Sequence, residues 1–202
     1  FNLSDAAYFF SPSAPIAVGD AEDLAAQTYA GHRLDLPANR YISASGAPER
    51  EAGTDKLRYF KLVGAQVYVE QTYTAEQRAA RVQGGPGDRG NDWRDFYHGS
   101  GRVRPLSSLS RRYRSVVGYY AENYGVPFCG YKGSPQLRQL LLTTAEKIGK
   151  TPEETCVPAF LLEDGYQPRD AWWAVLLEAV VVAGLGACGW LLTRELRARR
   201  AR

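Results

Sequence analysis

The sequence predicts an α+β fold: a small, mostly antiparallel sheet with two to three helices, followed by one C-terminal transmembrane helix. Three observations predict it. Residues 57 to 71 read as strand material divided by a glycine. Residues 110 to 149 hold two amphipathic helices with matching caps. From Ala171 an apolar run of 22 residues ends in a cluster of arginines.

The strand signals come first. Arg40 to Ser45 is rich in β-formers and stops at Gly46. In Leu57 to Gln71, Gly64 separates Tyr59–Val63 from Gln66–Glu70, as a turn or bulge does. Val67 and Val69 alternate with Gln66, Tyr68 and Glu70, the period of a half-buried strand. Asp95 to Arg104 is a further strand or hairpin, and Ala159 to Leu162 a last strand that turns at Glu163-Asp164-Gly165.

The helices follow. Ser110 caps a helix ending at Tyr124, with Gly125 as its stop. Tyr113, Val116, Val117, Tyr120 and Tyr124 share one face. Ser134 and Pro135 open a second helix that Gly149 closes, with Leu137, Leu140, Leu141, Ala145 and Ile148 as its apolar stripe. Asp20 to Ala26 makes one short turn, and Thr151 to Glu154 a brief third helix start. Tyr8, Phe9 and Phe10 suit a membrane surface, and Ser11 to Pro15 breaks any helix there. The chain opens at Phe1 without an initiator, which fits a cleaved signal, a transit peptide or a preceding hydrophobic helix.

From Ala171 to Leu192 the chain reads AWWAVLLEAVVVAGLGACGWLL. As a helix this run is about 30 Å long, the thickness of a hydrocarbon core. Trp172 and Trp173 mark one interface and Trp190 the other. Arg194, Arg197, Arg199, Arg200 and Arg202 follow directly. The positive-inside rule sets this tail in the cytoplasm, or in the matrix of a mitochondrion. The organisation is therefore an N-terminal segment (1–30), an extracytoplasmic α+β domain (31–168), a transmembrane helix (171–192) and a basic tail (193–202).

Within the span, Glu178 sits two turns from its start. An ionised carboxylate facing lipid costs several kcal/mol, so a partner helix or a proton is expected there. A span beginning at Ala179 would free Glu178, but it would be only about 21 Å long. Ala179, Ala183 and Ala187, with Gly184 beside them, form a small-residue stripe of the kind that lets helices pack closely. Cys188 also lies beside the stripe, which together with Glu178 supports a helix partner in the membrane.

Charge excludes one class of function. The tail holds five Arg and one Glu, a balance of +4. Removing that and the −1 of Glu178 from the total of +3 leaves residues 1 to 170 neutral. A neutral domain gives no footing for nucleic acid. Chemistry is scarce as well. His32 and His98 have no second His or Cys at metal-ligand spacing. Asp88, Asp92, Asp95 and His98 form the one acidic cluster, without the order of a calcium loop. The glycine-rich stretch 83–92 matches no phosphate-binding pattern. Ser107, Ser108, Ser110 and Ser115 lack a nucleophile elbow. Arg102, Arg104, Arg111, Arg112 and Arg114 are the main basic patch, suited to anionic headgroups, an acidic partner or plain solvation. Cys129 and Cys156 are a candidate disulfide or two buried thiols.

These readings predict no enzyme, no cofactor and no metal. They predict a non-catalytic accessory, scaffold or assembly subunit of a bacterial inner-membrane complex, its domain in the periplasm. Its partners are membrane lipid and other integral subunits. The alternatives are an extracytoplasmic ligand-binding or sensor module, a membrane-tethered enzyme, and a mitochondrial inner-membrane setting with the domain in the intermembrane space.

Overall fold

A computed structural model describes residues 3–29, 35–53, 56–76, 96–109, 111–126, 128–129, 135–147, 149, 151 and 156–200. They divide into two compact units: Ala14–Tyr166, and Phe1–Ser13 together with Gln167–Arg202.

The larger unit is built on one seven-stranded sheet. Its strands are β1 (Ile16–Asp20), β2 (Arg40–Gly46), β3 (Pro48–Gly53), β4 (Leu57–Leu62), β5 (Val67–Thr72), β6 (Tyr97–Pro105) and β7 (Phe160–Asp164), in the spatial order β1-β2-β6-β7-β5-β4-β3. The helices of this unit are α2 (Ala21–Tyr29), α3 (Arg111–Tyr124) and α4 (Pro135–Lys147). The smaller unit holds α1 (Leu3–Phe9) and α5 (Trp172–Arg200).

The α+β class stands, but the predicted sheet and helix count are corrected. The sheet is large and mixed, and five α-helices are present among the described residues. Two parallel pairings account for the difference. β1 runs parallel to β2, with α2 as the crossover between them. β7 runs parallel to β5 and antiparallel to β6, so the last strand inserts between two strands made much earlier. β7 suits that central place. Phe160, Leu161 and Leu162 are consecutive and buried, and they feed the two faces of the sheet alternately.

Turn chemistry fixes the hairpin the sequence announces. Gly64 has φ +79° and joins β4 to β5, as its left-handed conformation allows. The Asp95–Arg104 signal becomes the single strand β6. β1 and β3 carry no such signal: β3 is Pro-Glu-Arg-Glu-Ala-Gly, a polar edge strand. Proline and charge on an edge deter pairing with other chains, which explains why it looks unlike a strand.

Two cores flank the sheet. On one face Leu24 of α2 meets Ile42, Phe60, Val69, Val103 and Leu162. On the other, Val117, Tyr120 and Ala121 of α3 cover Tyr59, Tyr68 and Leu161. Tyr68 stacks edge-on against Tyr120 (4.7 Å) and Phe128 (5.5 Å), and the Tyr120 hydroxyl donates to the Tyr59 carbonyl at 3.3 Å. Of the face predicted for α3, Val117 and Tyr120 are buried, Val116 is half-buried and Tyr124 is exposed. Gly125 closes α3 with φ +64° and a bond from its N–H to the Ala121 carbonyl. In α4, Ala145 is buried. The side chains of Tyr113, Leu137, Leu140 and Leu141, and residues Ser110, Ser134, Ile148 and 152–154, lie outside the described residues.

Candidate functional site

The smaller unit is built around α5. Gln167 leads into a 3-10 turn, Pro168–Ala171, where the Asp170 carboxylate accepts the Gln167 N–H at 2.8 Å. The turn runs into 29 residues of continuous helix, longer than the predicted span because the arginine tail remains helical. Packing covers one side of its first turns only. Ala171 and Ala174 are buried, and Val175, Glu178 and Val181 are half-buried, at helical spacings of 3, 1, 3 and 3. α1 packs against the 3-10 turn and α5, contributing buried Asp5, Ala6 and Tyr8.

The rest of α5 is bare. Val182 and Leu185 are both 69% exposed, and Leu176, Leu177, Val180, Leu191 and Leu192 are all exposed. Burying a side chain of this kind contributes roughly 1.5–3 kcal/mol, so on the order of 10 kcal/mol of apolar transfer free energy is unrealised in this chain alone. The segment Pro168–Arg194 is long and apolar enough to cross a membrane. Arg194 turns its guanidinium back over the Trp190 ring, 5.5 Å from the centroid, and Arg197 is exposed. The side chains of Arg199 and Arg200, and Arg202 itself, lie outside the described residues.

The residues predicted to pack against helices in the membrane lie on two sides of α5. Ala179, Ala183, Gly184 and Ala187 are all exposed, whereas Glu178 lies in the half-buried stripe. At about 100° per residue, the three alanines lie roughly 100–180° around the helix from Glu178. Glu178 Oε1 is buried and has no hydrogen-bond partner among the described residues.

In the sheet unit, Cys129 and Cys156 are joined by a disulfide, with Cα atoms 4.8 Å apart. The neighbouring Phe128 and Val157 form a parallel bridge, and the Cys129 N–H reaches the Val157 carbonyl at 3.1 Å. The crosslink thus ties the segment after α3 to the approach to β7. Cys188, on α5, is a free and exposed thiol.

One polar cluster in the sheet has no sequence signature. The Tyr97 hydroxyl donates to Asp164 Oδ1 at 2.7 Å, and Gln71 donates to Oδ2 at 2.9 Å. Burial, then the charge of Asp164 and its hydrogen bond, push the Tyr97 phenol well above its ordinary value near 10, so it stays a neutral donor. Gly99 makes room for the contact. A Cβ there would collide with the Tyr97 hydroxyl and with Asp164 Oδ1. At Gly101 a Cβ would collide with the backbone carbonyl of Glu163. The glycine pair Gly99-x-Gly101 inside a strand was the available clue to close approach. The partners of Asp164 lie 67 and 93 residues away in the chain, which spacing does not reveal.

Several other polar side chains of the sheet are paired, whereas Gln66 Oε1 is buried with no hydrogen-bond partner among the described residues. Arg102 donates to Asn39 at 2.7 Å, Lys61 pairs with Glu49 at 2.6 Å, Arg104 with Glu163 at 3.4 Å, and Tyr41 bonds Ser100 at 2.9 Å. Of the basic patch, therefore, Arg102 is buried in the sheet, whereas the side chains of Arg111, Arg112 and Arg114 lie outside the described residues. His98 is exposed on β6 beside Phe96, ring centroids 4.9 Å apart. His32, Asp88, Asp92, Asp95 and the 83–92 stretch lie outside the described residues. Ser108 turns its hydroxyl back to the Pro105 carbonyl at 2.8 Å. Among the described residues no three His, Cys, Asp or Glu side chains gather as a metal site. The cavity beneath α3, lined by Tyr68, Leu106, Val116 and Phe128, measures about 10 Å³, no more than one water molecule needs.

No protein-family model, curated protein or solved structure matches the chain.

Proposed function

We propose that the chain is an accessory, scaffold or assembly subunit of an inner-membrane protein complex, anchored by α5 and without catalysis of its own. The observation that carries this reading is the exposed apolar surface of α5, continuous to the arginines that follow it. A helix so apolar around most of its circumference is stable in lipid or against other apolar helices, and in water it would drive aggregation. The arginine tail argues for the cytoplasmic side of a bacterial inner membrane, with the sheet domain in the periplasm. The Cys129–Cys156 disulfide supports an oxidising compartment for that domain. The intermembrane space of a mitochondrion meets the same two conditions.

A subunit role rests further on Glu178, whose buried carboxylate oxygen has no hydrogen-bond partner among the described residues. A carboxylate inside a span is satisfied by a proton, or by a donor on another subunit that meets the exposed part of this half-buried residue. The small-residue stripe on a different side of α5 offers a second helix a close approach. In the sheet domain Tyr97 and Gln71 bond to Asp164, and Arg102, Lys61 and Arg104 each have a side-chain partner.

Extraction of native membranes in a mild detergent, followed by native electrophoresis and blotting for this chain, tests the reading. Migration within an assembly much larger than 22.4 kDa plus its micelle is expected. Migration only as a monomer would remove the subunit role and leave an independent anchored domain.

A further inference from the structure

We propose that α1 is a second lipid-contacting element: it lies in the headgroup zone, where Phe10, Trp172 and Trp173 form an aromatic collar that sets how deep α5 enters. The inference rests on α5 spanning the bilayer, as proposed above.

Position comes from packing. α1 docks on the 3-10 turn and on α5, which fixes it at the level of the first turns of the span, where the two tryptophans stand. Its covered side is Asp5, Ala6 and Tyr8; its outward side is Ser4, Ala7 and, just past its end, Phe10. Phe10 is 74% exposed, Trp172 58% and Trp173 44%. Phe9 is half-buried and holds its ring edge-on to Phe10 at 5.2 Å.

Three large exposed aromatic side chains, two on the first turn of α5 and one just past the end of the helix packed on it, match the chemistry of a membrane interface. Indole and phenyl rings take up the apolar part of that zone while the indole N–H reaches headgroups or water. Trp172 and Trp173 open the same helix whose later apolar positions are bare, so one lipid environment would cover both. Attraction to anionic lipid is a minor part of the fit. The exposed charges beside the tryptophans are Arg169 and Asp170, one of each sign. The occupant is therefore the interface of any fluid bilayer, and headgroup charge is secondary.

The test uses the full chain in phosphatidylcholine vesicles, with and without phosphatidylglycerol. In a Cys188→Ser background, a nitroxide is placed at Ala7→Cys in one sample and at Val182→Cys in another. Power saturation with oxygen and with a water-soluble nickel chelate reports depth. The label at 182 is expected deep in the hydrocarbon. The label at 7 is expected a few ångström inside the phosphate level in both lipid mixtures, and Phe10→Ser moves it towards water. A label at 7 fully open to nickel places α1 in water, and one closed to both reagents places it against protein. Either result overturns the collar while leaving the span intact. A label at 182 open to nickel overturns the span, and the collar falls with it.

Discussion

The sheet unit and the α5 unit handle the same residue types in opposite ways. In the sheet unit the apolar side chains of β5 and β7 are buried on both faces, and Tyr97 and Gln71 pair with Asp164 across strands. In α5 most of them face outward, and a carboxylate oxygen of Glu178 is enclosed in the half-buried stripe. The first pattern is that of a chain folded against water, and the second is the one expected of a helix in apolar solvent, as proposed for α5. One polypeptide thus carries two solvent codes that change over at Gln167.

Substitutions that exchange the codes should have the largest effect. Val182→Arg with Leu185→Arg puts two charges at the middle of the span, at about 6 kcal/mol on insertion scales. The variant is expected to leave the membrane pellet during alkaline carbonate extraction, where the parent chain stays. The same exchange at a position such as Leu192, near the end of the apolar run, should be tolerated, because its side chain reaches the interface.

Removing the crosslink with Cys129→Ala and Cys156→Ala sharpens the other half of the comparison. Closing 27 residues of chain is worth about 3.5 kcal/mol in the chain-entropy account. Urea unfolding followed by tyrosine fluorescence should show a loss of stability of that size, with α5 still retained in the membrane. Gly101→Ala comes next. Its Cβ meets backbone that cannot swing aside, so a loss of about 3 kcal/mol in the same assay is expected.

Tyr97→Phe gives the smallest change, about 1–2 kcal/mol, because it leaves Asp164 short of one donor. It also carries a pH signature. The folded phenol is raised above the unfolded value near 10, so the stability it contributes is complete below pH 10. Above that pH the unfolded chain loses the proton first, and stability falls by up to about 1.4 kcal/mol per pH unit. With the Tyr97→Phe substitution in place, midpoints measured between about pH 9 and pH 11 should lose that part of the decline.

The two codes also differ in how far the sequence discloses them. α5 was legible because its signal is local: a 22-residue run interrupted by one charge, with tryptophans near both ends and a basic end, lies within one window. β2, β4, β5 and α3 were legible for the same reason, each having its own period and its own stop. β1 and β3 were not. β3 is polar because it is an edge, and β1 is a short strand ahead of a crossover helix. The mixed sheet was hidden because it depends on β7 inserting between β6 and β5, a choice made by burial and not by any neighbouring residue. The Tyr97–Gln71–Asp164 cluster was hidden with it. Spacing separates Glu178 from the alanine stripe, but it does not say which side of α5 is half-buried.

Whether α5 lies in the hydrophobic interior of a membrane decides everything else proposed for this chain. Cys188, the free thiol on that helix, reports on it without any substitution. Sealed native membranes are treated with a membrane-impermeant maleimide, before and after dissolution in denaturing detergent. Labelling of Cys188 only after dissolution is predicted. Labelling in sealed membranes as complete as in detergent would put α5 in water and contradict the membrane-spanning reading.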